Sequence, residues 1–204
     1  FLPQFFDAEE RELLWRSLGP GDSFADVGAN AGIYTLWAAR AVGEKGRVAA
    51  IEPNPVMIER LRCNIAFNGF EDRVTVVEGG VSDSEGHFDL MLDESNLGGS
   101  SLALKRSEAS IRVRCAPLGV MMSAGLVLQP RAIKIDIEGA EDRVLLPYLR
   151  ETPEASLPQL VILENSAKDW VQDLPAALVR AGYWCIRKTR MNLIYRRGRE
   201  DGKA

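Results

Sequence analysis

Asp26-Val27-Gly28-Ala29-Asn30-Ala31-Gly32, followed about 20 residues later by Glu52, places residue types that suit a nucleoside at a spacing that suits one. A glycine-rich turn between a strand and a helix lets the backbone approach a ligand. An acid at the end of the next apolar run, Val48-Ala49-Ala50-Ile51, accepts hydrogen bonds from both ribose hydroxyls. The bland alternative is a tight strand-to-helix turn that binds nothing. Asn30 stands where a dinucleotide fingerprint has its second glycine. Asparagine tolerates left-handed backbone, but its side chain fills the space of a phosphate, and Asp26 would repel a diphosphate. Carboxylates suit an ammonium or sulfonium group instead, so the turn points to S-adenosylmethionine rather than to a nicotinamide or flavin nucleotide.

A second group lies in Lys134, Asp136 and Glu138, which alternate with Ile133, Ile135 and Ile137. If the strand runs regularly that far, the three polar side chains share one side of it. One reading is a structural Lys134–Asp136 ion pair, with Glu138 and Glu141 favouring the N-terminus of the next helix. The other makes Asp136 or Glu138, with Glu164 next, the base or orienting group for an acceptor.

These residues need a scaffold, and the apolar periodicity supplies one. Strands are expected over 23–28, 48–52, 73–78, 87–92, 111–115, 131–137, 159–164, 183–187 and 192–196. Helices are expected over 31–42, from Pro55 behind an Asn54 cap to Gly69, over 117–124 and 139–149, and over 168–181. A lead-in helix over 7–18 carries a capping box, Asp7 with Glu10. The strand at 111–115 reads as an edge, and 93–101 as a Gly/Ser-rich loop. Alternating strands and helices predict an α/β fold, a Rossmann-like, mostly parallel seven-stranded sheet with helices on both faces and an antiparallel closing hairpin. Residues 1–21 form the helix and lead-in, and 22–204 the binding domain.

In such sheets ligands sit beyond the carboxyl ends of the strands, where strand order reverses. Five polar strand ends are expected to converge there: Asp26 to Asn30, Glu52 to Asn54, Glu78 to Asp83, Asp136 to Glu138, and Glu164 with Asn165. His87, the single histidine, reads as an exposed strand residue, and Trp15 and Trp37 as core. The basic residues Arg187, Lys188, Arg190, Arg196, Arg197 and Arg199 read as a solvated edge, with the Thr189-Arg190 turn reaching toward the rim.

With 204 residues, 46% hydrophobic and 26% charged, the chain has the size and composition of one globular domain. A net charge of -4 argues against a nucleic-acid partner. No apolar run reaches the ~18 residues of a membrane span, and no signal-peptide pattern is present. Cys63, Cys115 and Cys185 are odd in number and lack metal-ligand spacing, which predicts buried free thiols and a cytoplasmic setting.

The chain resembles the FkbM-type S-adenosylmethionine-dependent methyltransferases of the class I superfamily. The resemblance is carried by Asp26 to Asn30 with Gly32-Ile33-Tyr34-Thr35, by Ile51-Glu52-Pro53-Asn54-Pro55, and by Leu61, Asn64 and Asn68. Its most particular block is Ile133-Lys134-Ile135-Asp136-Ile137-Glu138-Gly139-Ala140-Glu141. It implies methyl transfer to a hydroxyl of a sugar, glycan or small molecule. It further implies that Asp26, Gly28, Asn30 and Gly32 hold the methionine moiety, Glu52 the ribose, and Gly80, Val81 and Ser82 the adenine edge, with Pro53, Asn54 and Asp136 also among the cofactor-binding residues. The loop at 96–101 is also similar to the family's. Gly119, after Pro117-Leu118, departs from the family's acid at that place.

In-line attack on a sulfonium methyl disperses charge, so a carboxylate beside the sulfonium binds the ground state at least as well as the transition state. Rate must come from alignment and from a base facing the acceptor. Two other classes stay open at this level, an NAD(P)-dependent oxidoreductase and a non-catalytic cofactor-binding module. The sequence sets neither the acceptor's identity nor an oligomeric state.

Overall fold

The computed structural model describes residues 8–91 and 110–198, so the Gly/Ser loop at 93–101, Asp7 and Arg199 lie outside the described residues. Ten strands and six α-helices follow in chain order: α1 (Ala8–Ser17), β1 (Ser23–Val27), α2 (Ile33–Val42), β2 (Arg47–Glu52), α3 (Pro55–Asn68), β3 (Val74–Glu78), β4 (Gly80–Val81), β5 (Gly86–Met91), β6 (Ser110–Ala116), α4 (Leu118–Ala124), β7 (Ala132–Ile135), α5 (Glu141–Glu151), β8 (Leu160–Glu164), α6 (Leu174–Arg180), β9 (Tyr183–Lys188) and β10 (Asn192–Arg197).

Seven strands form one sheet in the order β3-β2-β1-β7-β8-β10-β9. β3, β2, β1, β7 and β8 run parallel, and β10 is antiparallel to β8 and β9. The closing hairpin and the parallel body are therefore as expected. Strand order reverses between β1 and β7, which opens the crevice where ligands of such sheets bind.

Side-chain alternation divides the core into two layers. Ala25, Val27, Ile51, Ile133, Ile135, Val161 and Leu163 face one way, toward α4, α5 and α6. Phe24, Val48, Ala50, Ala132, Leu160 and Ile162 face the other, with Leu14 of α1, Ala38 of α2 and Leu61 of α3 packed over them. The same parity directs Asp26, Glu52, Lys134 and Glu164 to the second layer, at the carboxyl end of their strands. Four charged side chains on four strands thus share one face of the sheet.

Several expectations are corrected. β6 is the middle strand of a separate three-stranded sheet, β4-β6-β5, and not an edge. The strand from Arg131 stops at Ile135, because Glu138 (φ 57°) and Gly139 (φ 97°) take left-handed backbone. The helix expected from Lys168 begins only at Leu174: Val171 and Gln172 donate their amides to buried Asp142 (2.9 and 2.8 Å), which holds that segment irregular, and Asp173 then caps the helix through the Ala176 amide. The expected capping box includes Asp7 and so lies outside the described residues, but Glu10 has a further role. It is buried, accepting from Thr189 Oγ1 and from Asn192 Nδ2, and ties α1 to the β9–β10 turn.

Trp15 (44% exposed) and Trp37 (38%) lie outside the core, stacked edge to face at 6.2 Å, with the Arg11 guanidinium 5.0 Å from the Trp37 ring. Of the cysteines only Cys115 is buried; Cys63 and Cys185 are exposed, and all three are unpaired. His87 is exposed as expected. The basic hairpin is only partly a solvated edge, because Arg197 is held by Glu154 (2.6 Å) and by the Ala181 carbonyl.

Candidate functional site

The turn after β1 is built from three left-handed residues, Gly28 (φ 75°), Asn30 (φ 51°) and Gly32 (φ 95°). Gly28 and Ala29 donate their amides to the Ile51 carbonyl, which pulls the turn onto β2. A β-carbon on Gly28 would fall 1.9 Å from the Asp136 carbonyl oxygen, so this glycine is what lets the β1 and β7 ends meet. Gly28→Ala is expected to cost on the order of 3 kcal/mol through clash and strained backbone, lowering Tm by roughly 6 to 12 °C. An unchanged Tm in a thermal melt would remove that account. Asn30 fits because it adopts left-handed backbone and its Oδ1 accepts from the Ala31 amide (2.6 Å). Gly32 sits where a β-carbon would meet Leu61 at 2.6 Å, so it lets α2 pack on α3. Asn64 braces the turn from α3, donating to the Ala31 carbonyl (2.8 Å).

Glu52 ends β2 and is buried. Its Oε2 accepts from the Asn30 amide and its Oε1 from the Asn54 amide, both at 2.8 Å, so the carboxylate is fixed in place while each oxygen keeps a lone pair for a hydroxyl. Burial pushes its pKa up, and the two amide donors pull it back. Asn54 also caps α3, its Oδ1 accepting from the Val56 amide (3.0 Å) with Pro55 at the first helical position.

Asp26 is buried near the end of the neighbouring strand β1, beside the crevice. Thr35 Oγ1 donates to its Oδ2 at 2.5 Å, and its Oδ1 has no protein hydrogen-bond partner. Burial raises its pKa, opposed chiefly by the charge of Lys134. Lys134 is Asp26's neighbour across the β1–β7 register. Its Nζ lies 2.8 Å from Asp136 Oδ2 and 4.8 Å from the centre of the Tyr34 ring. The expected Lys134–Asp136 pair is present.

Asp136 and Glu138 open onto the same cavity from the far side. Glu141 anchors the turn between them and α5: its Oε1 accepts from the Ile137 (3.1 Å) and Gly139 (3.2 Å) amides, and its Oε2 from Trp170 Nε1 (2.7 Å). Glu164, at the end of β8, stands behind these two and does not itself line the cavity; its Oε2 is buried with no hydrogen-bond partner. Burial first, then the charges of Asp136 and Glu138, push its pKa up to about 7. A carboxyl that titrates near neutrality beside two other acids is poised to take up a proton.

Most of these parts line an open cavity of about 1120 Å³, large beside the ~300–1,000 Å³ usual for a small-ligand site. Asp26, Gly28, Asn30, Glu52, Pro53, Gly80, Val81, Asp136 and Glu138 line it. Gly32 and Asn54 act from behind the wall as turn and helix builders. Ser82 lines a separate groove instead, its hydroxyl bonded to the Ser84 carbonyl. Glu78 turns outward to Arg62 (2.6 Å), so the third strand end contributes only through Gly79, Gly80 and Val81. Among the described residues no group of His, Cys, Asp and Glu is arranged to hold a metal ion, and no helix is long and apolar enough to cross a membrane.

The arrangement fits S-adenosylmethionine. The orphaned Asp26 oxygen suits an ammonium, the amide-braced Glu52 suits ribose hydroxyls, and Val81, Leu90 and Met57 offer apolar wall to a base. Sequence reasoning assigned no contact to Tyr34, Thr35 or Asn64, and none to Asp142. The helical spacing that turns Tyr34 and Thr35 toward β1 and β7 was a usable signal. Asp142's tie to Val171 and Gln172 had none, being a contact across 29 and 30 residues.

The comparisons with known proteins agree with this geometry. A family model described as the methyltransferase FkbM domain matches residues 26–183. A hexuronic acid methyltransferase, AglP, from Haloferax volcanii is 29% identical over 139 residues, covering 68% of this chain and 51% of that protein. The chain thus spans about half the length of that relative, and it spans 36% of a ribosomal protein L11 methyltransferase from Pelotomaculum thermopropionicum, 31% identical over 116 residues. The crystal structure of the methyltransferase FkbM from Methylobacillus flagellatus superposes with a TM-score of 0.59 at 18% identity, covering 86% of this chain and 43% of the other, which supports the fold. The chain belongs to the FkbM methyltransferase domain family, and its cofactor is S-adenosylmethionine.

Proposed function

We propose that this domain transfers the methyl group to a hydroxyl oxygen of a small molecule, a sugar or a glycan. The observation that carries the reading is Glu164, a carboxyl at the end of β8 pushed to about 7 by burial and by the charges of Asp136 and Glu138, which line the cavity. A hydroxyl is a weak nucleophile that must lose its proton as it attacks, and a base titrating near the working pH does this best. When bound, S-adenosylmethionine supplies an electrophilic methyl on a sulfonium. The chain's own residues do the rest: Asp26 binds the amino group, Glu52 the ribose, and Asp136 and Glu138 bound the space in which an acceptor lies. Glu164 receives the acceptor's proton. Holding acceptor and methyl in line supplies a further ~7–11 kcal/mol.

The sugar part of the reading draws support from AglP, which acts on a hexuronic acid. A net charge of -4 argues for a small or glycan acceptor rather than nucleic acid, and the unpaired, exposed Cys63 and Cys185 suit a reducing cytoplasm. The test is a screen with radiolabelled methyl donor against free sugars, uronic-acid glycosides, phenols, amines and oligonucleotides. Incorporation into a hydroxyl-bearing acceptor that survives mild base, as an ether does, supports the proposal. Incorporation confined to amines or oligonucleotides would overturn it.

A further inference from the structure

Lys134 is a buried cation, 4% exposed, on a rim otherwise dominated by carboxylates. Its place follows from strand parity: Ala132 and Lys134 face the α1–α3 layer, and the parallel register sets Lys134 beside Asp26. The groups around it come from four elements. Asp26 lies on β1, Asp136 after β7 with 2.8 Å between charges, Glu52 at the end of β2, and Tyr34 and Thr35 on α2, the Tyr34 ring 4.8 Å from Nζ. On its β8 side stands apolar Ile162.

We propose that Lys134 is a positioning residue for the cofactor, held in place by Asp136 and keeping the neighbouring Asp26 an anion aimed at the amino-acid end of S-adenosylmethionine, and so setting the pH range over which that end is bound. The assignment rests on the cofactor reading of the site. A buried carboxylate without a countercharge takes up a proton rather than stay ionised, and a protonated Asp26 offers no charge to an ammonium. Burial drives Asp26 in that direction, and Lys134 is the largest influence against it. The ribose end does not depend on Lys134 in this way, because Glu52 has two backbone amides of its own.

Two ligands separate these ends. S-adenosylhomocysteine carries the amino-acid tail, whereas 5′-methylthioadenosine carries only the nucleoside and a thioether. By titration calorimetry on the full chain, Lys134→Met, which keeps the packed stem, is expected to bind S-adenosylhomocysteine ~10-fold or more weakly at neutral pH, since one pKa unit is a tenfold effect. The loss should shrink as pH rises and Asp26 ionises again. Methylthioadenosine should bind as to the wild type, and Lys134→Arg should restore part of the tail's affinity. Lys134→Met combined with Asp26→Asn should bind the tailed ligand no more weakly than Asp26→Asn alone. Wild-type affinity for both ligands in Lys134→Met at every pH would overturn the assignment. So would an equal loss of both ligands with no pH dependence, which marks a merely structural lysine. If the wild type bound neither ligand, the cofactor reading itself would fall and take the assignment with it.

Discussion

Asp26→Ala should weaken S-adenosylhomocysteine binding by roughly 10- to 100-fold while leaving 5′-methylthioadenosine within about twofold of the wild type. A hydrogen bond to a charged group contributes about 1.5–3 kcal/mol, and each 1.4 kcal/mol is a factor of ten. The split between ligands follows from where Asp26 sits: its unpartnered oxygen is buried in the cavity wall on β1, next to Lys134, whereas the amide-braced carboxylate that suits the ribose is Glu52 at the end of β2. Glu52→Ala should behave differently, weakening both ligands to a similar degree. It should also lower Tm, because the buried amides of Asn30 and Asn54 lose their acceptor. Calorimetry on the two variants with the two ligands makes four comparisons. Equal loss of both ligands in Asp26→Ala would remove it from the amino-acid end.

Glu164→Gln should lower kcat by roughly 10²- to 10⁴-fold with S-adenosylhomocysteine affinity nearly unchanged, the usual range for removing a general base. In the wild type the rate should rise with pH through about 7 as Glu164 ionises and then level off, and the variant should lack this limb. Asp136 and Glu138 both raise the Glu164 pKa, so Asp136→Asn and Glu138→Gln should move the limb to lower pH. If instead either of those two variants abolished turnover and Glu164→Gln kept it, the base would be theirs. The same shift bears on stability. Because the folded pKa lies above the unfolded value of 4.5, the fold favours the protonated form; that contribution is complete below about 4.5 and is lost as pH rises through about 7. Glu164→Gln should therefore melt roughly 2–4 °C above the wild type at mildly alkaline pH and show no such gain at acid pH.

Much of this site was legible because its parts are local. Asn54 before Pro55 is a cap in any context, and Asn30 in a strand-to-helix turn has few other uses. Alternation along each strand put Asp26, Glu52, Lys134 and Glu164 on one parity, and the parallel sheet then made their convergence a matter of geometry. What stayed hidden depends on pairing between distant segments. That Lys134 stands beside Asp26 follows from a register between residues more than a hundred positions apart. Glu164 is pushed up to about 7 first by burial and then by the charges of Asp136 and Glu138 on another strand's end, and neither can be read from its own segment.

Other misses share that cause. The helix expected from Lys168 has helical periodicity, but Asp142 captures the Val171 and Gln172 amides before it can start. Trp15 and Trp37 were assigned to the core by hydrophobicity alone, yet they stack on each other and on Arg11 at the edge of α1 and α2. The bond from the Glu10 carboxylate to Thr189 and Asn192, 179 and 182 residues away, was equally beyond the reach of local spacing.

The central claim is a division of labour among carboxylates on one rim, with Asp26 and Glu52 binding the cofactor and Glu164 serving the acceptor. It is tested most directly by a crystal structure of the ternary complex with S-adenosylhomocysteine and an acceptor identified by the methyl-transfer screen. The account predicts the ligand's amino group on Asp26, its ribose on Glu52, and the acceptor hydroxyl within roughly 2.6–3.2 Å of a Glu164 oxygen, in line with the sulfur. An acceptor oxygen held by other residues, with Glu164 turned away from it, would contradict the account.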